Sequence, residues 1–508
     1  MKRFFFALFF LILPSLALSE EATEKPASLD QKIDGMIEPL AFWIDKIVFT
    51  TVPVAGMSVP IVLILLAGTS LFLTLFFRFI NISAIGVAFR TVTGKYTAKD
   101  AEGEITHFQA LTAALSATVG LGNIAGVAIA ICAGGPGAAF WMILLGFLGM
   151  TSKFCECTLG VKYRKIDESG KVSGGAMYYL SRGLAERGMG GFGKVLAIFF
   201  AVMCIGGAIG AGNMFQINQA QIQFTEVTGL FKEQNWVFGL IVAVLVGAVI
   251  IGGIQGIAKV TATLVPFMCG IYVIAALVVL VINIGEVPHV VSRIVTEAFK
   301  PEAAVVGGFI AVFIQGIKRG VFSNEAGVGS APIAHSAVRT DKPASEGLVA
   351  LLEPFFDTVV VCSLTAFVII STGTYDSYAG QSLGGTEQGV AVTSEAFASA
   401  IPWFPIVLMV AVILFAFSTM ISWSYYGERA VTFLVGDNKG VLLAYRIFFC
   451  ICTVIGASAS LGNVLKASDA MFFAMVVPNL IGLYILLPVV KKETSDFLDH
   501  VKEVEGKK

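Results

Sequence analysis

Charged residues are scarce in this chain: Asp, Glu, Lys and Arg make up 14% of its 508 residues, whereas 56% are hydrophobic. That length would ordinarily give about three soluble domains, but so few charges cannot surface three soluble globules. The charges also nearly cancel, 34 Lys and Arg against 35 Asp and Glu, so the chain lacks the global basic field that holds a nucleic acid. No C-x-x-C pair occurs among the eight cysteines, which lie in or beside apolar stretches and read as small apolar filler. Gly-rich phosphate loops, H-E-x-x-H runs and G-x-S-x-G elbows are missing too, and the four histidines (His107, His289, His335, His500) are dispersed in the sequence. What is plentiful is Phe, at 41, and Gly, at 54. Bulk for lipid together with small residues for close helix contacts suits a polytopic α-helical membrane protein better than a β-barrel.

Met1-Lys2-Arg3, an apolar run from Phe4 to Leu13 and small residues around Ala17 to Ser19 have the layout of a secretory signal. Residues 1–19 are therefore expected to be a signal peptide, with an uncleaved anchor as the alternative, and residues 20–57 an extracytoplasmic segment. Windows of about 20 residues then mark eleven apolar spans: 58–79, 108–133, 137–157, 195–215, 236–254, 260–283, 304–334, 348–371, 404–434, 441–458 and 470–489. Eleven crossings from an outside N-terminus leave residues 491–508 as a cytoplasmic tail. The basic residues agree with this orientation. Apart from Lys2 and Arg3, only Lys25, Lys32, Lys46, Lys232, Arg293, Lys300 and Lys466 fall outside, and the other 25 fall inside. The expected location is the bacterial inner membrane.

Two spans break the apolar pattern. The second carries Ser116-Ala117-Thr118-Val119-Gly120-Leu121-Gly122-Asn123-Ile124-Ala125-Gly126, and the seventh Ser323-Asn324-Glu325-Ala326-Gly327-Val328-Gly329-Ser330-Ala331-Pro332. Each glycine weakens a helix by about 1 kcal/mol relative to Ala, and unsatisfied backbone in hydrocarbon costs several kcal/mol per group. Such runs persist where something else occupies the freed amides and carbonyls. Interrupted helices five spans apart, running in opposite directions, point to an inverted-repeat transporter with its site where the breaks meet. Half-helix N-termini suit a carboxylate and loose carbonyls suit a cation, so an amino acid beside a metal cation fits both. Glycine motifs for close helix packing are the plainer alternative.

Ala110-Leu111-Thr112 through Gly126, Gly134-Gly135-Pro136-Gly137, Gly160-Val161-Lys162-Tyr163-Arg164, Gly174-Gly175 with Tyr178-Tyr179-Leu180, Ser323 to Gly327, and Ser422 to Arg429 resemble the alanine/glycine:cation symporter family. The resemblance runs from about residue 50 to residue 490. It implies a leucine-transporter-type core of five plus five inverted helices preceded by one extra span. It also implies inward coupling of sodium, or sometimes protons, to uptake of a small neutral amino acid such as alanine or glycine. No enzymatic cofactor is implied, and the oligomeric state is not readable.

Carried over residue by residue, the resemblance places the amides of Leu121 and Gly122 at the substrate carboxylate. The Thr118 carbonyl falls near the ammonium or a cation, and Asn123 becomes a ligand of a sodium touching the substrate. Phe322, Ser323 and Glu325 would offer carbonyls to the ammonium while Val328 lines the side-chain pocket. A second cation site would take the hydroxyls of Ser418 and Thr419 with the carbonyls of Ser116, Val119 and Phe415, an all-oxygen set that suits a hard cation. The alternative is that both hydroxyls bond back one turn along their own helix. Trp423, one turn beyond Thr419, would close the pocket, unless it is merely an interface anchor.

Polar residues recur at helical spacing at Asn213, Gln216, Gln219 and Gln223, and Gln216 is the preferred substrate partner, with a water-facing loop as the alternative. Ionisable residues within spans are functional candidates by default. Glu353 and Asp357 lie one turn apart, Asp357 serving the first cation site or carrying a proton, and Arg319 is expected to latch an inner gate with a carboxylate such as Glu325. A channel would need polar rings in several spans, and an intramembrane enzyme a nucleophile-base or metal-ligand set; neither pattern is present in the sequence.

Overall fold

A computed structural model describes residues 46–54, 57–98, 100–300, 308–379 and 388–506. The signal segment and most of the N-terminal extension lie outside these residues. The main helices are α1 (Ile61–Phe76), α2 (His107–Thr118), α3 (Val127–Gly134), α4 (Gly137–Lys162), α5 (Gly190–Thr228), α6 (Asn235–Ile250) and α7 (Gly253–Ile282), followed by α8 (Gly308–Asn324), α9 (Pro343–Ser371), α10 (Gln388–Ala400), α11 (Phe404–Val435), α12 (Lys439–Ser458) and α13 (Val464–Val504). Among the described residues α4, α5, α7, α9, α11, α12 and α13 are each long and apolar enough to cross a membrane; α2 and the run Gly122–Gly134, which ends in α3, pass the same test together as a pair bent by 52°, an eighth if the pair is one span. The helices α1 and α6 are apolar but shorter. The described strands are few, an antiparallel pair Thr51–Val54 with Met57–Pro60 and a two-residue pair Lys165–Ile166 with Val172–Ser173.

Local chemistry sets several of these boundaries. Thr106 and Gln109 form a reciprocal capping box at the start of α2, the Thr106 hydroxyl accepting from the Gln109 amide and the Gln109 side chain accepting from the Thr106 amide. At α12 the Asn438 carboxamide oxygen accepts from the amides of Gly440 and Val441. The break between 490 and 491 expected for a separate tail is not marked in the backbone, because α13 runs on to Val504 and Glu505 accepts from Tyr96 at 2.6 Å and pairs with Arg90 at 3.1 Å.

Burial separates core from periphery. In α4 67% of the apolar window is buried within the protein, but in α7 only 33% is. The side chains of Phe267, Ile274 and Val281 on α7 stand out toward the surrounding medium, as lipid-facing residues must. Helix α4 packs against α8 and α9, while α11 packs against α5, α2 and α7. Those inner helices carry the polar residues.

Four widened π-type turns interrupt the described helices, at Gly122–Gly126, Tyr179–Gly183, Gly210–Met214 and Phe355–Cys362. A π-turn re-aims side chains that a regular helix would turn away. The first contains Asn123, the third ends two residues before Gln216, and the fourth contains Asp357.

Candidate functional site

The helix α2 ends at Thr118, Val119 adopts an extended conformation (ψ 91°), and helical winding resumes only at Gly122. The freed amides are met by side chains. Gly120 N–H donates to Asn123 Oδ1 at 2.8 Å, and Leu121 N–H donates to Gln216 Oε1 at 3.1 Å. Gln216 thus holds one of the two amides that the resemblance assigns to a substrate carboxylate. A carboxylate oxygen and an amide oxygen accept the same N–H, so Gln216 marks an acceptor position at the break and is placed to hand this amide over. Thr118 turns its hydroxyl back to Ala114 O at 3.3 Å, which leaves its carbonyl at the open end of α2.

The seventh segment is broken more sharply. After α8 ends at Asn324, Glu325 has φ 58°, Gly327 φ 86° and Gly329 φ 85°, and helical structure returns only at Pro332. A left-handed conformation is easy for the two glycines but strained for Glu325. Side chains hold Glu325 there, since Oε1 accepts from Trp423 Nε1 at 3.0 Å and Oε2 accepts from the Ser330 hydroxyl. Asn479 of α13 donates to the Gly327 carbonyl at 2.9 Å. Val328 is fully buried in the middle of this loop, and its amide donates to the Glu325 carbonyl at 3.2 Å.

The two breaks touch. A Cβ on Gly122 would lie 3.2 Å from Ser323 Cα, a tight contact that glycine avoids where the two broken segments approach each other. Between them lies the Asp357 carboxylate, which accepts from Asn123 Nδ2 at 2.6 Å, Ser323 Oγ at 2.9 Å and Thr358 Oγ1 at 2.6 Å. All three donors are neutral. A fully buried carboxylate whose hydrogen-bond donors are all neutral is compensated by binding either a cation or a proton.

The hydroxyl pair gives a divided answer. Thr419 Oγ1 donates across to the Ser116 carbonyl at 3.0 Å, while Ser418 Oγ bonds back to the Phe415 carbonyl of its own helix at 3.0 Å. Ser116 Oγ donates to the Ser418 carbonyl at 2.7 Å and meets Ser422 Oγ at 3.0 Å. The Thr419 hydroxyl and the Ser116 carbonyl therefore meet at the α2–α11 contact, whereas the Ser418 hydroxyl stays with the Phe415 carbonyl of α11 and lies 3.7 Å from Met268 Sδ of α7; the extended Val119 directly follows the end of α2. Thr419→Ala is expected to raise the half-saturating sodium concentration of uptake by about tenfold, near 1.4 kcal/mol. Ser418→Ala should do less, because its hydroxyl is half satisfied within α11. A sodium titration of initial uptake rates checks both, and equal effects would contradict the division.

Other expected partners are rearranged. Arg319 does not pair with Glu325. Together with Lys318, which lies 2.8 Å away, it binds Asp469 of α13, and its guanidinium stands 5.1 Å over the Phe322 ring. That ring meets Phe215 edge-on at 5.1 Å and Phe472 at 5.4 Å, forming an aromatic layer next to Gln216. The expected Arg319–Glu325 pair is not formed: Arg319 pairs with Asp469 near the start of α13, and Glu325, in its left-handed turn, accepts from Trp423 instead. The polar stripe lies inside α5 rather than in a loop and is wholly buried. Asn213 donates to the Phe449 carbonyl at 2.7 Å, Gln219 accepts from the Val390 amide at 3.1 Å and Gln223 donates to Ser394 at 3.0 Å. These three tie α5 to α12 and α10, and Gln216 reaches the break. Sequence reasoning missed Thr358 and Asn479; an isolated hydroxyl beside Asp357 and an Asn inside an apolar span were the available signals.

Comparison with known proteins gives the family and the fold. Residues 44–508 match the model of the sodium:alanine symporter family. The chain is 41% identical to the sodium/alanine symporter AgcS of Methanococcus maripaludis over 449 residues, covering 88% of this chain and 96% of that protein. It is 33% identical to the probable sodium/glutamine symporter GlnT of Bacillus subtilis over 439 residues, covering 86% and 87%. In structure it is similar to MhsT solved with L-phenylalanine, with a TM-score of 0.51 at 15% identity over 77% of this chain and 99% of that one. The fold is accordingly that of a leucine-transporter-type carrier, and the protein is a transporter rather than an enzyme. By the match along nearly its whole length, the chain belongs to the sodium:alanine symporter family.

Proposed function

We propose that the protein couples inward sodium movement to uptake of a small neutral amino acid, alanine or glycine, by alternating access through eleven crossings arranged as one extra span and a five-plus-five repeat. The observation that carries this reading is the Asp357 carboxylate between two broken helices, ligated by Asn123 of one and Ser323 of the other. A sodium ion there would draw the breaks together and set the amides of Leu121 and Gly122 for the substrate carboxylate. Gln216 would yield the Leu121 amide as the amino acid arrives, and carbonyls at Thr118, Phe322, Ser323 and Glu325 would receive the ammonium. Val328 and Trp423 would bound the side-chain pocket. A second sodium would be held by the oxygens of Ser116, Val119, Phe415, Ser418 and Thr419.

The buried Trp423 ring, packed against Tyr426 and Phe472, favours small substrates. With the N-terminus outside and the C-terminus in the cytoplasm of a bacterial cell, Arg319 precedes the break in a segment that enters from outside, so its pair with Asp469 serves as an outer closure rather than the inner gate expected from the sequence. The membrane potential adds about 2.3 kcal/mol per sodium per 100 mV. Proteoliposome uptake of labelled L-alanine tests the reading, with glycine, serine and glutamine as competitors and sodium and proton gradients imposed separately. Strong competition by glycine and stimulation by sodium alone are expected. Equal competition by glutamine would contradict the small pocket, and stimulation by protons alone would reassign Asp357 to a proton.

A further inference from the structure

A row of ionisable side chains that the transport site does not use runs through the protein beside it. It starts at Thr97, half-buried in the loop before α2, whose hydroxyl meets His107 Nε2 at 2.9 Å. His107 Nδ1 contacts one oxygen of Glu346 and His335 Nδ1 the other. His335 Nε2 contacts Glu353, and the second oxygen of Glu353 accepts from Lys153 Nζ at 3.1 Å. From His107 to Lys153 no member is more than 2% exposed.

Hydrogen-bond logic assigns the protons. Ionised carboxylates only accept, so His335, with a carboxylate at each ring nitrogen, must carry hydrogen on both and is an imidazolium. His107 needs one hydrogen, toward Glu346, because the Thr97 hydroxyl can donate to its other nitrogen. The row then balances two positive charges, Lys153 and His335, against Glu346 and Glu353, as deep burial demands. Removing the His335 proton would set a lone pair against a carboxylate oxygen and leave a net buried charge. Cys157 also has its sulfur within 4.8 Å of ligand atoms of His335 and Glu353, but the Lys153 ammonium already fills the cation's place there, so the trio is not read as a metal site.

The inner end of the row meets the seventh break in two ways. The Lys153 charge acts on Glu325 as well as on Glu353 and Glu156. Glu156 accepts from Asn479 at 2.6 Å, and Asn479 holds the Gly327 carbonyl. The other charged or titratable groups facing the row are Arg164 toward Glu346 at the surface end, Cys157 of α4, Tyr426 of α11 toward Glu353, and Asp357 of the transport site, on which the Lys153 charge also acts.

We propose that His107, Glu346, His335, Glu353 and Lys153 form a proton-binding site filled from the face carrying Thr97, and that its occupancy controls movement of the broken seventh segment. In the orientation proposed above that face is cytoplasmic, so internal pH would gate transport through a proton that is not the coupling ion. Loss of the proton frees Glu353 to compete fully for Lys153, which weakens the hold of Lys153 on Glu325 and loosens the loop.

This inference rests on the transport reading for its readout. The test is exchange of labelled for unlabelled L-alanine in proteoliposomes at saturating sodium, with equal pH on both sides. The wild-type rate should change at least about fivefold from about pH 5.5 to about pH 9, whereas His335→Gln and Glu346→Gln should stay within about twofold. Should those variants fail to fold, His107→Gln at the row's surface end is expected to displace the profile. A pH-indicator dye in weak buffer should report proton release or uptake by the detergent-solubilised wild type on adding sodium and L-alanine. A pH-independent wild-type rate, an unchanged profile in the folded variants or the absence of a dye signal would overturn the proposal. No sodium-dependent exchange at any pH would instead overturn the transport reading, and this proposal with it.

Discussion

Replacing Asp357 with Asn is expected to raise the sodium concentration for half-maximal uptake by about a hundredfold, close to 2.7 kcal/mol, at the upper end for a hydrogen-bonded charged group. Asn keeps the size of the side chain but removes its charge and turns an amide donor either toward Asn123, which donates to Oδ1, or toward Ser323 and Thr358, which donate to Oδ2. The contrast with Glu353 sharpens the expectation. Glu353, one turn earlier, is neutralised by Lys153 at 3.1 Å, but the side-chain hydrogen-bond donors to Asp357 are all neutral. Of these two buried acids, Asp357 is therefore the one with no charged hydrogen-bond donor, as the proposed cation site requires. A sodium titration of initial rates, normalised to protein in the membrane, checks it. An unchanged half-saturating concentration would remove Asp357 from the site.

This carboxylate also shows where reading the sequence stopped. Asp357 stood out as an acid in an apolar span, but Asn123, its partner, lies 234 residues away, and periodicity carries no information about a contact over that distance. The breaks themselves were legible because glycine in a membrane helix leaves a local signature. Glu325 was legible only as a charge; its left-handed backbone, which turns it from Arg319 to Trp423, depends on tertiary support from Ser330 and Trp423. The histidines were least legible of all. His107 and His335 look unrelated along the chain, yet they share Glu346 because the short helix Pro332–His335 and the start of α9 both pack on α2.

Gly120→Ala is expected to abolish sodium-driven uptake while leaving the protein in the membrane. The added methyl would stand 2.5 Å from Thr419 Oγ1 and 3.0 Å from Gln216 Oε1. It would displace the hydroxyl that binds Ser116 and the amide oxygen that binds Leu121 in one step. Overpacking of this kind costs about 1–3 kcal/mol, affordable for a large folded protein. For the site the loss is greater, because both oxygens move from positions that must be held within about 0.5 Å to act. Uptake should fall at least about a hundredfold, read against surface-labelled or chromatographically monodisperse protein. Gly94→Ala, at a loop glycine with nothing within 4 Å of an added Cβ, is the control expected to retain most activity. Its φ of 80° costs some strain but lies away from the breaks. Near-normal transport by Gly120→Ala would show that the close approach of the second break to α11 is packing only.

The two breaks and the buried acid between them make a claim about coupling: sodium and the amino acid occupy one site and cross together. The most direct measurement reverses the usual experiment. With no initial sodium gradient, an inward gradient of L-alanine is imposed on proteoliposomes and the entry of radiolabelled sodium is followed, with membrane potential clamped at zero. Transient sodium accumulation above its external concentration, abolished by Asp357→Asn, is expected of such coupling. Alanine entry unaccompanied by sodium movement would contradict it.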